Sequence, residues 1–135
     1  MHQGVLGRAQ VSRLEPHLPG LRAELEEQRE FRLEQLEELG WAIETYENEA
    51  RVEVAYVLAM AAGSALEEIE AALERLAAGV YGTCVGCAGS VGLERLEVLP
   101  MAALCAPCQY RAEPVWSASA AGADRVPFAG AIRSR

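Results

Sequence analysis

Four cysteines arranged as two close pairs are the residues of this chain best suited to chemistry. Cys84 and Cys87 form the first Cys-x-x-Cys pair, Cys105 and Cys108 form the second, and seventeen residues separate the pairs. Two residues between thiolates let the backbone curl so that both sulfurs face one ion, and two curls supply a tetrahedral shell. The spacing predicts one structural Zn²⁺ bound by all four thiolates. Because that shell leaves no open coordination position, we do not expect a catalytic metal.

Two other interpretations of the cysteines stay open. Four thiolates can also hold an iron–sulfur cluster. A thioredoxin-like redox motif would explain one pair but not two, and neither pair lies in a βαβ pattern. The histidines, His2 and His17, are far from both pairs in sequence, so we interpret them as surface residues rather than ligands.

The composition excludes several classes of protein. The chain has 135 residues, a net charge of −8 and 6% aromatic residues, so it offers one domain or an extended element with a small module. Between Gly79 and Tyr110 the only charged residues are Glu94, Arg95 and Glu97. This acidic chain therefore lacks a basic surface for sequence-specific nucleic-acid binding. It also lacks a nucleophile–base pair, a phosphate-binding loop and an open metal site, so we do not expect an enzyme.

The sequence also predicts a location. The first thirty residues contain five glutamates and no apolar run of the kind found in a signal peptide. The longest low-charge stretch, residues 54–66, is too short and too rich in alanine to span a bilayer. We therefore expect a cytoplasmic protein without membrane contact, and the reducing cytoplasm favours metal-bound thiolates over disulfides.

Hydrophobic spacing predicts two long helices that would position the cysteines. Leu21 and Leu25 begin an apolar stripe in the first helix, which Gln28 and Arg32 then interrupt. The second helix carries a heptad seam of apolar residues: Ala55, Leu58, Ala62, Ala65, Ile69, Ala72 and Leu76. A short connection would make the two helices antiparallel neighbours. An ordinary helical bundle is the alternative, but the chain offers no third apolar helix to complete one.

These elements give a mainly α fold in four parts. Residues 1–20 form a weakly ordered N-terminal segment, and residues 21–79 form a long antiparallel helical hairpin, or coiled coil, with its tip near 40–49. Residues 80–110 form a small four-cysteine zinc finger, and residues 111–135 form a disordered, flexible tail. Residues 20–50 hold ten glutamates and three arginines, so the acidic charge is concentrated on the first helix and the tip. Glu44, Glu47 and Glu49 lie at the predicted tip, where the hairpin would meet a partner.

Further motifs surround the cysteines. The helical hairpin leads into Tyr81-Gly82-Thr83-Cys84-Val85-Gly86-Cys87, then Val91-Gly92-Leu93-Glu94-Arg95-Leu96-Glu97, then Pro100, and finally Leu104-Cys105-Ala106-Pro107-Cys108. This combination resembles the DksA/TraR family of bacterial zinc-finger proteins. The resemblance covers residues 69–109 most closely and is consistent in architecture back to Leu21.

The resemblance implies a transcription regulator that binds RNA polymerase. Members of that family insert an acidic coiled-coil tip into the secondary channel, through which nucleotides reach the catalytic centre, and thereby modulate initiation. It also implies guanosine tetraphosphate as a ligand at the shared interface. The chain departs from the family at the tip, because Glu44-Thr45-Tyr46-Glu47 stands where Asp-x-x-Asp-x-Ala is usual. The alternative function is a non-catalytic zinc-ribbon adaptor that docks another protein.

Overall fold

The computed structural model describes residues 13–113, and these residues form two compact units. The first unit runs to Cys105 and the second begins at Ala106. Residues 13–113 are mainly helical and contain no β-strand, although an isolated antiparallel bridge joins Thr83 to Ser90. The mainly α class predicted from the sequence is therefore confirmed. Residues 1–12 and most of the predicted flexible tail, from 114 on, lie outside the described residues.

Two long helices packed against each other dominate the first unit. Helix α1 spans Leu18–Thr45 and helix α2 spans Glu49–Ala78, with three connecting residues between them. At 1.5 Å per residue, α1 is about 42 Å long and α2 about 45 Å. So short a connection forces the helices to run antiparallel, and the connection falls inside the predicted tip at 40–49. The helical hairpin is confirmed.

Local sequence explains where α2 begins and ends. Asn48 has extended backbone geometry, and its side-chain oxygen accepts a 3.1 Å hydrogen bond from the backbone N–H of Arg51. This N-cap satisfies one of the donors that the first helical turn leaves unpaired. At the other end Gly79 adopts a left-handed conformation, with φ of 78°, and terminates the helix. The predicted end of the hairpin at residue 79 agrees with this position.

The interface between the helices follows the predicted heptad seam over most of its length. The buried residues of α2 are Ala55, Ala62, Ile69, Ala72 and Leu76. Opposite them, α1 buries Leu21 and Leu25 near its start and Ala42 near its end. Leu58 was predicted to be part of the seam, but it is 46% exposed. A groove between the helices lies open beside it, because the small side chain of Ala42 leaves that space unfilled.

The chain becomes helical earlier than the sequence analysis predicted. Helix α1 begins at Leu18, and a 3₁₀ turn over Glu15–His17 precedes it, so the predicted boundary at residue 20 lies inside the helix. Pro19 occupies the first turn of α1, where its missing N–H costs nothing. Leu14 is buried and lines a small cavity with Leu93 and Leu96. Burial of this apolar side chain favours an ordered chain before residue 20.

Two short helices complete the described structure. In the first unit, helix α3 spans Leu93–Val98, and its Leu96 is buried. In the second unit, helix α4 spans Ala106–Ala112, and its Cys108 is buried. The predicted boundary between the zinc finger and the tail, at residues 110 and 111, lies inside α4.

Candidate metal centre

The end of α2 directs the chain into the first cysteine pair. After Gly79, the backbone N–H of Val80 still donates to the Arg75 carbonyl oxygen at 3.0 Å. Tyr81 follows and is 4% exposed, and its hydroxyl donates a 2.8 Å hydrogen bond to the carbonyl oxygen of Pro100. This bond ties the segment before the first pair to the segment before the second pair. Within the first unit, the segments that lead into the two pairs are thus held to each other near the end of α2.

A tight turn shapes the first pair. The Cys84 backbone N–H donates to the Gly89 carbonyl oxygen at 2.7 Å, and the Ala88 N–H donates to the Cys84 carbonyl oxygen at 2.9 Å. Ala88 has a positive φ of 66°, which is uncommon for a residue with a side chain. A Cβ at Gly89 would meet the Cys87 sulfur at 3.4 Å, at the edge of ordinary van der Waals contact. The turn therefore folds closely around the thiols.

Hydrogen bonds across the first unit fix the segment that leads to Cys105. The Val85 N–H donates to the Ala103 carbonyl oxygen at 2.9 Å. The guanidinium of Arg95, on α3, donates from Nε to the Leu104 carbonyl oxygen at 2.9 Å. Cys105 follows directly, so its backbone is held by contacts to both the first pair and α3.

The structure brings the four predicted cysteines together. Their Sγ atoms all lie within 4.8 Å of one another, and Cys87 Sγ is 3.8 Å from Cys105 Sγ. None of the four forms a disulfide, for which a separation of about 2.05 Å would be needed. A tetrahedral shell with metal–sulfur bonds of about 2.3 Å separates neighbouring sulfurs by about 3.8 Å. The donor set and spacing thus fit one four-coordinate metal ion.

Several N–H groups surround the sulfurs. The backbone N–H groups of Gly86 and Cys105 each donate to Cys84 Sγ at 3.3 Å. Within the second unit, the Arg111 guanidinium donates from Nη2 to Cys108 Sγ at 3.1 Å. Donors of this kind stabilise the deprotonated thiolate, which is the form that binds metal. Cys84 Sγ and Cys108 Sγ are therefore placed beside donors that suit the metal-binding form.

Burial perturbs two ionisable groups beside the centre. Burial raises the pKa of Tyr81 to about 12, against a smaller lowering effect of the positive charge of Arg75. Burial likewise lowers the pKa of Arg75, whose Nη2 donates to the Met101 carbonyl oxygen at 3.3 Å. Tyr81 consequently stays a neutral hydrogen-bond donor at physiological pH.

The three acidic residues predicted at the tip lie together around the interhelical connection. Glu44 is in the last turn of α1, Glu47 is in the connection, and Glu49 is the first residue of α2. All three side chains are exposed. At the same end, the Arg51 guanidinium lies 4.9 Å from the centroid of the Tyr46 ring. The connection thus presents three carboxylates to solvent within six residues.

The residues that hold the cysteine segments in place have no clear signature in the sequence. Tyr81 and Arg95 were noted only as parts of motifs, and Arg75 and Arg111 were not noted. Their partners are main-chain oxygens and a sulfur, which leave no pattern in a sequence. The single usable signal was the scarcity of charge between Gly79 and Tyr110, where Arg95 is the only arginine.

A scan against protein-family models finds no match, and searches of curated proteins and of solved structures find no significant match. Among the described residues, none of the helices combines the length and apolar character needed to cross a membrane.

Proposed function

We propose that the four cysteines bind one structural Zn²⁺ ion. Supporting this, the cluster contains four sulfurs and no oxygen or imidazole ligand, and zinc accepts a tetrahedral thiolate shell without ligand-field cost. The ion would cross-link the two cysteine segments beside a small core that includes Tyr81, Leu96 and Pro100. Binding of a structural zinc ion contributes directly to folding free energy.

We further propose that the protein is a DksA/TraR-like transcription regulator that binds RNA polymerase. The observation that carries the proposal is a helical hairpin with an exposed acidic tip, followed by a four-cysteine cluster set in that family's motifs. In this proposal the tip enters the secondary channel and the cysteine end stays outside. An α2 of about 45 Å is long enough to separate these two ends.

Electrostatics favour the tip as the part that acts on polymerase. Residues 20–50, which include most of α1 and the tip, hold ten glutamates against three arginines, so this half of the hairpin is attracted to a positively lined pore. Carboxylates brought close to a catalytic Mg²⁺ alter the local field and compete for its coordination. Glu44 and Glu47 are the carboxylates that we propose to act in this way. Guanosine tetraphosphate is proposed as a second ligand at the shared interface.

The experiment separates polymerase binding from regulation. Purified full-length protein is tested for co-elution with bacterial RNA polymerase and then for its effect on abortive initiation, with and without guanosine tetraphosphate. We expect the Glu44→Gln/Glu47→Gln variant to bind but to lose the effect on initiation. The matched control is Glu27→Gln/Glu30→Gln, which removes the same charge from an exposed part of α1 far from the tip. Absence of binding to core enzyme and holoenzyme at micromolar concentration would refute the proposal.

The second candidate is a non-catalytic adaptor that docks another protein through the cysteine end. Two exposed apolar side chains favour it: Val85 is 65% exposed beside Cys84, and Val98 is 76% exposed at the end of α3. An adaptor of this kind would bind its partner equally well with or without the tip glutamates. Loss of partner binding in Val85→Asp/Val98→Asp, with polymerase binding absent, would support it.

A further inference from the structure

One part of α2 is apolar on all sides although α1 covers only one of them. Residues 54–66 contain no charged side chain. In this stretch Ala55 and Ala62 are buried, while a set of larger apolar side chains is between 46% and 72% exposed: Val54, Tyr56, Val57, Leu58 and Met60. A helix that is apolar all round is normally covered on more than one side. The hairpin therefore leaves a helix face that is suited to a second partner.

The exposed face contains a second heptad stripe. Its residues recur at alternating steps of three and four: Arg51, Val54, Leu58, Ala61, Ala65 and Glu68. The stripe shares Leu58 and Ala65 with the predicted seam. Its residues Val54, Ala61 and Glu68 each lie one residue before a buried position of that seam, so the stripe adjoins the face that α1 covers. All but Ala65 are exposed, and Ala65 is half-buried. Alternating steps of three and four are the pattern by which one helix packs lengthwise against another.

The stripe is complementary to itself in the antiparallel direction. When a second copy of α2 is aligned in reverse about a two-fold axis near residues 59 and 60, Val54 faces Ala65 and Leu58 faces Ala61. Each large side chain then meets a small one, which is the arrangement that lets two helices approach closely. Because a two-fold axis generates every contact twice, each of these residue pairs occurs twice in the dimer.

Charge at the two ends of the stripe agrees with the same alignment. The reversed copy places Arg51 opposite Glu68. Among residues 13–113 the one salt bridge joins Arg29 and Glu70, so within this range Arg51 and Glu68 have no ion-pair partner, and Arg51 contacts the Tyr46 ring instead. In the dimer, two intermolecular Arg51–Glu68 ion pairs would lie at the two ends of the apolar contact.

We propose that the protein forms a two-fold symmetric dimer through this stripe of α2. A second copy fits better than a nucleic acid, which the net charge of −8 repels. The acidic residues of α1 would stay exposed, because the contact uses α2. A groove of about 350 Å³ is lined by Val54 and Leu58 of the stripe and by Leu39 of α1, and it extends the apolar surface of the stripe towards α1.

The dimer goes beyond the polymerase proposal and does not depend on it. The stripe begins two residues after the first residue of α2, so dimerisation would cover the part of the hairpin next to the tip. The dimer is therefore too wide near the tip for the insertion proposed above. Self-association at high concentration would then reduce the amount of hairpin able to enter a pore.

Sedimentation velocity of the full-length, metal-loaded protein over a wide concentration range tests the association. We expect a monomer–dimer equilibrium, and we expect Val54→Glu and Ala61→Glu to be monomeric at concentrations where the wild type is dimeric. The matched control is Met60→Glu, which adds the same charge to α2 at a residue that is 72% exposed but outside the stripe. Circular dichroism checks that helix content is unchanged. A wild-type chain that stays monomeric throughout, or a control that dissociates equally, overturns the proposal.

Exchange of the two charges tests the antiparallel alignment. Arg51→Glu alone and Glu68→Arg alone each place like charges opposite each other at both ends of the contact. We therefore expect each single variant to dimerise roughly tenfold more weakly than the wild type. The double variant Arg51→Glu/Glu68→Arg should regain wild-type affinity at low salt. Glu at position 51 also suits the third residue of a capped helix, so the fold is preserved. Unchanged affinity in both single variants would overturn the antiparallel contact.

Discussion

The Tyr81 hydroxyl donates a 2.8 Å hydrogen bond to the carbonyl oxygen of Pro100, across nineteen residues of chain. Both residues are buried, and the bond connects the segments that enter the first and second cysteine pairs. A buried carbonyl oxygen that loses its only donor pays the cost of desolvation, so this contact constrains how far the two segments can separate.

Tyr81→Phe should therefore destabilise the cysteine end. We expect a loss of about 1 kcal/mol in the free energy of unfolding, because the ring stays buried while the hydrogen bond is removed. Urea denaturation at neutral pH measures the change. The control is Tyr56→Phe, since Tyr56 is 55% exposed. Equal stability of wild type and Tyr81→Phe would contradict this role.

The raised pKa of Tyr81 also predicts a pH dependence. The folded protein binds the phenolic proton more tightly, with a pKa of about 12 against about 10 in the unfolded chain. The stabilisation from this group is thus complete below pH 10 and is lost as the pH rises towards 12. The slope of stability against pH in that window should be smaller in Tyr81→Phe than in the wild type.

Loss of one thiol should unfold the metal centre. We expect Cys84→Ser to bind zinc weakly and to melt at a lower temperature, because a three-sulfur shell with an added hydroxyl holds the ion poorly. Zinc content after gel filtration and thermal melting followed by circular dichroism measure both effects. Val85→Ser is the matched control, since it changes the neighbouring exposed residue without removing a ligand. Full zinc content in Cys84→Ser would show that the four-sulfur assignment is wrong.

The Arg111 contact to Cys108 should tune metal affinity. Removing a hydrogen bond to a ligand typically weakens metal binding by about tenfold or more, so we expect that effect from Arg111→Gln. Arg111→Lys keeps the positive charge near the sulfur and should lie between this variant and the wild type. Competition with a coloured zinc chelator gives the relative affinities. If all three proteins bind zinc equally, the contact has no role in binding.

The Asn48 cap should set the stability of the tip. Asn48→Ala removes the 3.1 Å bond to the Arg51 N–H and should cost about 1 kcal/mol in the free energy of unfolding. Asn48→Asp retains an acceptor and should remain close to the wild type. Urea denaturation measures both, and hydrogen exchange at the first turn of α2 shows whether the loss is local.

Much of this protein could be predicted from its sequence, and particular residues show why. The apolar seam through Ile69 and Leu76 repeats at helical spacing, and this spacing directly predicts which residues share one face of a helix. Gly79 is suited to a left-handed helix end, and α2 ends there. The pairing of Cys84 with Cys87, and of Cys105 with Cys108, follows from local spacing that only a common ligand readily explains.

The sequence by itself determined the two helices, their short connection and the two pairs of thiols, because each follows from the spacing of residues that are close together in the chain. Only the tertiary structure decided which side chains hold the thiols in place. Tyr81, Arg75 and Arg95 bind main-chain oxygens distant in sequence, and such partners depend on the folded path rather than on residue type. The exposure of Leu58 was decided in the same way. Helical spacing assigns a residue to a face, but the size of the side chains on the opposing helix determines whether that face is covered.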